Sequence, residues 1–148
     1  MRIHNRLLPL SLLAAATCFS GNILAGEAVR SGNWSNSSTW DSGKIPEAGD
    51  RVTINSGVEV VLDTDTPELG GLTINGKLSF SDDLNQELST EWILVFGELE
   101  IGTEANPHTS NATITLTNIN EDEQLMGMGD RGIMLSGGTL NMHGNITN

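Results

Sequence analysis

The 148-residue chain has no tyrosine, one cysteine, three histidines and only seven lysines and arginines. Each shortage removes a class of chemistry. The single cysteine, Cys18, lies within the first 25 residues, so from Gly26 onward the chain has no means of forming a disulfide, a thiolate metal site or a thiol nucleophile. Nineteen acidic residues set against seven basic ones give a net charge of −12. Two of the seven, Arg2 and Arg6, also fall in the first 25 residues, which leaves five against nineteen, a net of −14, for the remainder. Such a surface repels phosphate backbones and has no basic cluster to release counterions, so nucleic acid is not expected as a partner. Anionic polysaccharides meet the same long-range repulsion, which only a local basic site overrides at short range. His108 and His143 are the only histidines after residue 25, and neither lies near a serine motif or a second ligand in sequence. For His143, at the corner MHG, a surface or backbone-bonding role is expected ahead of catalysis.

Long apolar runs are also missing, with one exception. Residues 1–25 begin with Arg2 and Arg6, continue through an apolar run from Leu7 to Ala16 and reach small residues near Ala25, the layout of a secretory signal peptide. A membrane span needs about 20 apolar residues, more than this run supplies. Cleavage is expected near Ala25, with Ala28 as the alternative. Ala15, Ala16 and Thr17 make a poor lead-in for lipidation of Cys18. The expected product is a secreted or cell-surface protein, periplasmic in a bacterial host, with no membrane span in the mature chain and one domain over 26–148.

Helix signals are nearly absent; LNQELSTEW (84–92) has the composition of a single turn or a loop. Gly, Asn, Asp, Ser and Thr punctuate short β-branched runs, so the domain is expected to be all-β. Five segments fit one alternating template: Val52-Ile54-Ser56-Val58-Val60, Leu72-Ile74-Gly76-Leu78-Phe80, Ile93-Val95-Gly97-Leu99-Ile101, Ile114-Leu116-Asn118 and Ile133-Leu135-Gly137. Their starts step by 20, 21, 21 and 19 residues. The central position is Ser, Gly, Gly, Asn and Gly, residues that tolerate positive φ or let another backbone approach. Strand, corner, strand at about 20 residues per unit reads as five rungs of a parallel β-helix-like solenoid. A β-sandwich of hairpins, with the glycines in turns or bulges, fits the same spacing and is the alternative.

Trp34, Trp40, GKIPEAGDRVTI (43–54), GVEVVLD (57–63), LGGLTINGKLSF (69–80), ILVFGELEIGTEANP (93–107), ITL (114–116) and GGTLNMHG (137–144) follow one another in an order and spacing that resembles the G8 domain. The resemblance covers nearly all of 26–148. It implies an extracellular β-rich module of the kind found in fibrocystin-like proteins and in hyaluronan-binding and cell-surface hyaluronidases, where it precedes a parallel β-helix. It further implies ligand binding, with glycan such as hyaluronan as the candidate ligand, or service as the N-terminal cap of a larger β-helical protein. The leading part of a polysaccharide-degrading enzyme is the alternative. No motif carries a catalytic residue over, so this chain alone is expected to lack activity. It ends soon after GGTLNMHG, where such relatives continue, as a truncated product would.

Three groups remain as candidate sites. Trp34 and Trp40 offer indole faces for sugar stacking, or else cover the exposed end of the core. Asp63, Asp65 and Glu68 form an oxygen-rich span that suits calcium, the only cofactor candidate, although Asp residues before Pro67 also serve as turn formers. Glu98 and Glu100 could pair with carboxylates one rung away, a geometry that stacked strands bring about readily without catalytic meaning. NEDE (120–123) reads as a solvated loop.

Overall fold

In the computed structural model, residues 25–145 are described except for 122, 123, 126 and 128. Residues 1–24 of the expected signal segment lie outside the described residues, as does half of NEDE. No helix among the described residues is long and apolar enough to cross a membrane.

The domain is all-β and built from parallel sheets. The strands are β1 (Ala25–Ala28), β2 (Gly32–Asn33), β3 (Arg51–Ile54), β4 (Glu59–Leu62), β5 (Gly71–Ile74), β6 (Lys77–Phe80), β7 (Gln86–Thr90), β8 (Trp92–Val95), β9 (Glu98–Ile101), β10 (Ala112–Leu116), β11 (Gly132–Leu135) and β12 (Thr139–Met142). One sheet has the order β1-β3-β5-β8-β11, a second β12-β9-β6-β4-β2, and β10 pairs β7 in a third. Every one of these strand pairs is parallel, so the hairpins of a sandwich do not occur among the described residues. The chain thus passes from the first sheet to the second five times, and the last two passes are each preceded by a strand of the third sheet.

Alternation within the strands decides which side chains meet. In β3 and β6 every second residue is buried, and in-register pairing stacks like on like. Val52 lies beside Leu72, Leu72 beside Ile93 and Ile93 beside Ile133; Leu78 lies between Val60 and Leu99. These columns form one continuous core.

The five passes differ from the five segments read in the sequence. The first, β1 with β2, carries too little apolar sequence to show. Ile114-Leu116 does not continue the first sheet but stacks on β7, with Ile114 opposite Leu88. Ile133 therefore follows Ile93 directly. LNQELSTEW, expected to be a turn or loop, contains β7. Its inward positions are Gln86, Leu88 and Thr90, and two polar residues of the three disguise the strand. The first segment also slips by two: Val60 and Leu62, rather than Val58 and Val60, pair with Leu78 and Phe80. The reason is a wider corner, in which Gly57 takes a φ of +78°.

Candidate functional site

Trp34 and Trp40 flank the short 3-10 turn Ser37–Thr39 that follows β2. Trp40 bridges Ala28 in antiparallel fashion, and Asp41 N–H donates to the Glu27 carbonyl at 2.9 Å. The two indoles meet edge to face, with centroids 4.8 Å apart and planes at 72°. Trp40 Nε1 donates to the Trp34 carbonyl at 2.9 Å. Both side chains are buried, at 0% and 1% exposure, so neither turns a ring face to solvent.

The residues considered for calcium lie in the segment that runs beside β7, where Thr66 N–H donates to the Glu87 carbonyl and Leu69 N–H to that of Ser89. Asp63 and Asp65 serve different neighbours. Asp63 reaches back to accept Asn33 Nδ2 at 3.0 Å, Ser35 N–H at 2.9 Å and the Ser35 hydroxyl at 2.6 Å. Burial pulls its pKa upward, but the Ser35 hydroxyl and amide and the Asn33 amide together outweigh that and leave it below the ordinary value. Asp65 reaches forward to accept Glu87 N–H at 2.8 Å. Glu68 is exposed, and its carbonyl accepts from Gly49 N–H. Among the described residues, no three His, Cys, Asp or Glu side chains gather as a metal cage.

Glu98 and Glu100 lie on the outer face of the second sheet beside Lys77. The Lys77 ammonium is 2.8 Å from Glu100 Oε2 and 3.7 Å from Glu98 Oε2. Its hydrogen bond to Glu100 raises its pKa against the opposing effect of burial, and the charges of Glu100, Glu98 and Glu59 add to the rise. Glu98 Oε1 also accepts from Asn141 Nδ2. Both carboxylates are thus engaged in an ion-pair ladder across neighbouring strands.

The site that sequence reading missed lies where the chain enters β7 and β10. Asp82 accepts Thr109 N–H at 2.6 Å, the Thr109 hydroxyl at 2.7 Å and Ser110 N–H at 2.8 Å. The Ser110 and Thr109 bonds hold its carboxyl down to about 2, and His108 adds a smaller pull in the same direction. His108 Nδ1 is 3.4 Å from Asp82 Oδ1, while its Nε2 is buried with no hydrogen-bond partner. Asn85 Oδ1 accepts Asn111 N–H at 2.9 Å. Next to it the Gln86 side chain is 3% exposed, and neither Oε1 nor Nε2 finds a partner. The residues come from segments about two dozen positions apart and are polar, so no local spacing reveals them. Only the knowledge that β10 stacks on β7 would have aligned Asp82 with His108.

Asp82 makes a pH prediction. A carboxyl with a folded-state pKa of about 2 against an ordinary 3.8 contributes stability that is fully present above the higher value and lost as pH falls through the lower one. Asp82→Asn should therefore lower the melting temperature near neutrality, with the gap to wild type closing between pH 4 and pH 2. A gap independent of pH would mean that the carboxylate charge contributes nothing.

Asp63, Asp65, Asp82 and Glu91 share one use: each accepts an amide from a neighbouring pass of the chain, Glu91 Oε1 taking Asn120 N–H at 2.7 Å. Carboxylates that clamp successive turns, strands that stack in parallel register and glycines at the corners define a parallel-sheet β module. This chain belongs to the G8 domain family, whose model matches residues 39–148. It is 38% identical over 113 residues to mouse (Mus musculus) fibrocystin-L and 36% identical over 114 residues to dog (Canis lupus familiaris) fibrocystin. Human (Homo sapiens) fibrocystin-L is 35% identical over 113 residues. Each match covers 75% of this chain and 3% of the relative. G8 domains occur in fibrocystin-like extracellular proteins. No solved structure matches the chain.

Proposed function

We propose that this chain is a secreted solenoid module whose first end is closed by Trp34 and Trp40 and whose last end seats a further parallel coil, making it the N-terminal cap of a larger β-helical protein. One observation carries the reading. Along the column Ile54, Ile74, Val95, Leu135, the first three are fully buried and the last is 49% exposed. Met142, paired with Ile101, is 48% exposed, and Leu116, paired with Thr90, is 37% exposed. β10, β11 and β12 are all edge strands, so core-facing side chains and free backbone groups lie together at one end. Covering one Leu or Met side chain completely is worth about 1.5–3 kcal/mol, and an uncovered parallel edge invites another strand. The opposite end differs: β1 is flanked by Trp40 and Asp41. Because Ala28 belongs to the core and pairs with Ile54, cleavage near Ala25 keeps β1 almost whole, whereas cleavage after Ala28 would remove it.

An open end should self-associate when nothing occupies it. In sedimentation equilibrium the chain is expected to associate with rising concentration and to bind an apolar dye. Leu135→Lys with Met142→Lys should abolish both while keeping the wild-type melting temperature within a few degrees. A wild-type chain that stays monomeric and ignores the dye would overturn the reading.

A further inference from the structure

Natural sheets guard their edges with charged side chains, prolines or a covering segment. The two ends of this domain differ in that respect. At the first end the segment after β2 covers both edge strands: Trp40 bridges Ala28 of β1, the Thr39 carbonyl accepts Val29 and Arg30 N–H, and the Thr39 hydroxyl lies against Gly32 of β2. At the last end β10, β11 and β12 are edge strands, and none of the three contains a charged residue or a proline, whereas β4, β6, β7 and β9 all carry charge. The barest is β11, Gly-Ile-Met-Leu. Its core-facing Leu135 is 49% exposed, and Met134, on the opposite face, is apolar as well. A strand that is apolar on both faces belongs in the interior of a sheet. β10 and β12, by contrast, each commit an outward side chain to a neighbour, Thr115 to Glu87 and Asn141 to Glu98.

We infer that, where no further coil occupies it, the last end pairs with the last end of a second copy of this chain, β11 against β11 in antiparallel fashion, so that two five-stranded sheets join across a two-fold axis. The inference rests on the open end proposed above and adds its partner and its stoichiometry. Symmetry follows from the closed first end. Head-to-tail stacking needs an open edge at both ends and would propagate into a filament, whereas one open end per copy can be used only against itself and stops at two. A rotation by 180° about an axis across β11 reverses the strand, so the paired edges run antiparallel, the slightly more stable of the two pairings. Charge selects the same face. Each copy carries a net charge of −12 and repels the other, so contact is least opposed through the end whose strands carry none.

Sedimentation equilibrium should show monomer and dimer and no larger species. The dissociation constant is expected to fall several-fold as salt is raised from about 20 mM to about 500 mM, since salt screens the mutual repulsion and leaves the apolar contact intact. Cross-linking with a short bismaleimide, on a Cys18→Ser background, reads which ends meet. Met134→Cys alone should give a covalent dimer. Ser37→Cys, on the exposed turn at the first end, should give none, whether alone or mixed with Met134→Cys. A mixed product, or a series of species beyond the dimer, would mean head-to-tail stacking and would overturn the inference while leaving the last end open. A chain that binds the apolar dye yet stays monomeric would do the same, whereas a monomer that ignores the dye would overturn both this inference and the open end. Association that weakens with salt, or that leaves Met134→Cys without a cross-link, places the contact elsewhere and equally overturns the pairing of β11 with its copy.

Discussion

Replacing Gly97 with valine is expected to cost at least about 3 kcal/mol and to lower the melting temperature by on the order of 10 °C or more, because the site has no room for a side chain of any kind. A Cβ built on Gly97 overlaps the carbonyl oxygen of Gly76 and lies 2.6 Å from that of Asn75. These are backbone atoms, held there because Gly97 N–H donates to the Ile74 carbonyl and Glu98 N–H to that of Gly76. Gly76 is placed in the same way against the carbonyls of Val58 and Asn55. Neither residue is among the glycines with positive φ, so the corner uses glycine for close approach rather than for backbone freedom. That distinction has a consequence. Gly97→Ala should be nearly as damaging as Gly97→Val, whereas Gly57→Ala, with a φ of +78° and nothing within 4 Å of its Cβ, should cost only about 1–2 kcal/mol. Glu98→Val, on the half-buried outer face, loses its Lys77 and Asn141 contacts and should stay within about 1 kcal/mol. Chemical denaturation of the four variants ranks them directly. If alanine at 97 is tolerated as well as alanine at 57, the passes do not approach as closely as Gly97 requires.

Apolar columns were legible because stacking in parallel register puts equivalent residues beside one another, and equivalent residues in this sequence look alike: Leu72-Ile74 recurs as Ile93-Val95. Alternation reports which residues face inward, but not which sheet a strand joins. Ile114 and Leu116 therefore fitted the template while belonging to a third sheet against β7. The slip at β4 has the same origin. Val58, Val60 and Leu62 alternate without a break, and only the width of the corner at Gly57 settles which two of them pair with Leu78 and Phe80. Polar groups were harder still. Asp82, Gln86 and His108 meet through the stacking of β10 on β7, and nothing in their own neighbourhoods marks them. The family resemblance rested on Trp34, Trp40 and the GKIPEAGD stretch as well as on the corner glycines and apolar columns, all features of the framework, and so it held while the site details did not follow from it.

Trp40→Ala is the second substitution expected to cost about 3–5 kcal/mol, since it removes a core side chain with 1% exposure. The loss has two parts. One is volume, because the ring packs against Trp34 with centroids 4.8 Å apart. The other is the Nε1 bond to the Trp34 carbonyl, whose removal takes the indole donor away from that buried acceptor. Phenylalanine separates the two. Trp40→Phe keeps much of the packing but loses the bond, and should cost about 1–3 kcal/mol beyond the small volume change. Trp34→Phe should be cheaper, because Trp34 Nε1 is already buried without a partner and its removal takes away an unmet donor together with part of the ring. The expected order of denaturation midpoints, from lowest to highest, is therefore Trp40→Ala, Trp40→Phe, Trp34→Phe. A Trp40→Ala protein of near wild-type stability would mean that the indoles do not close the first end.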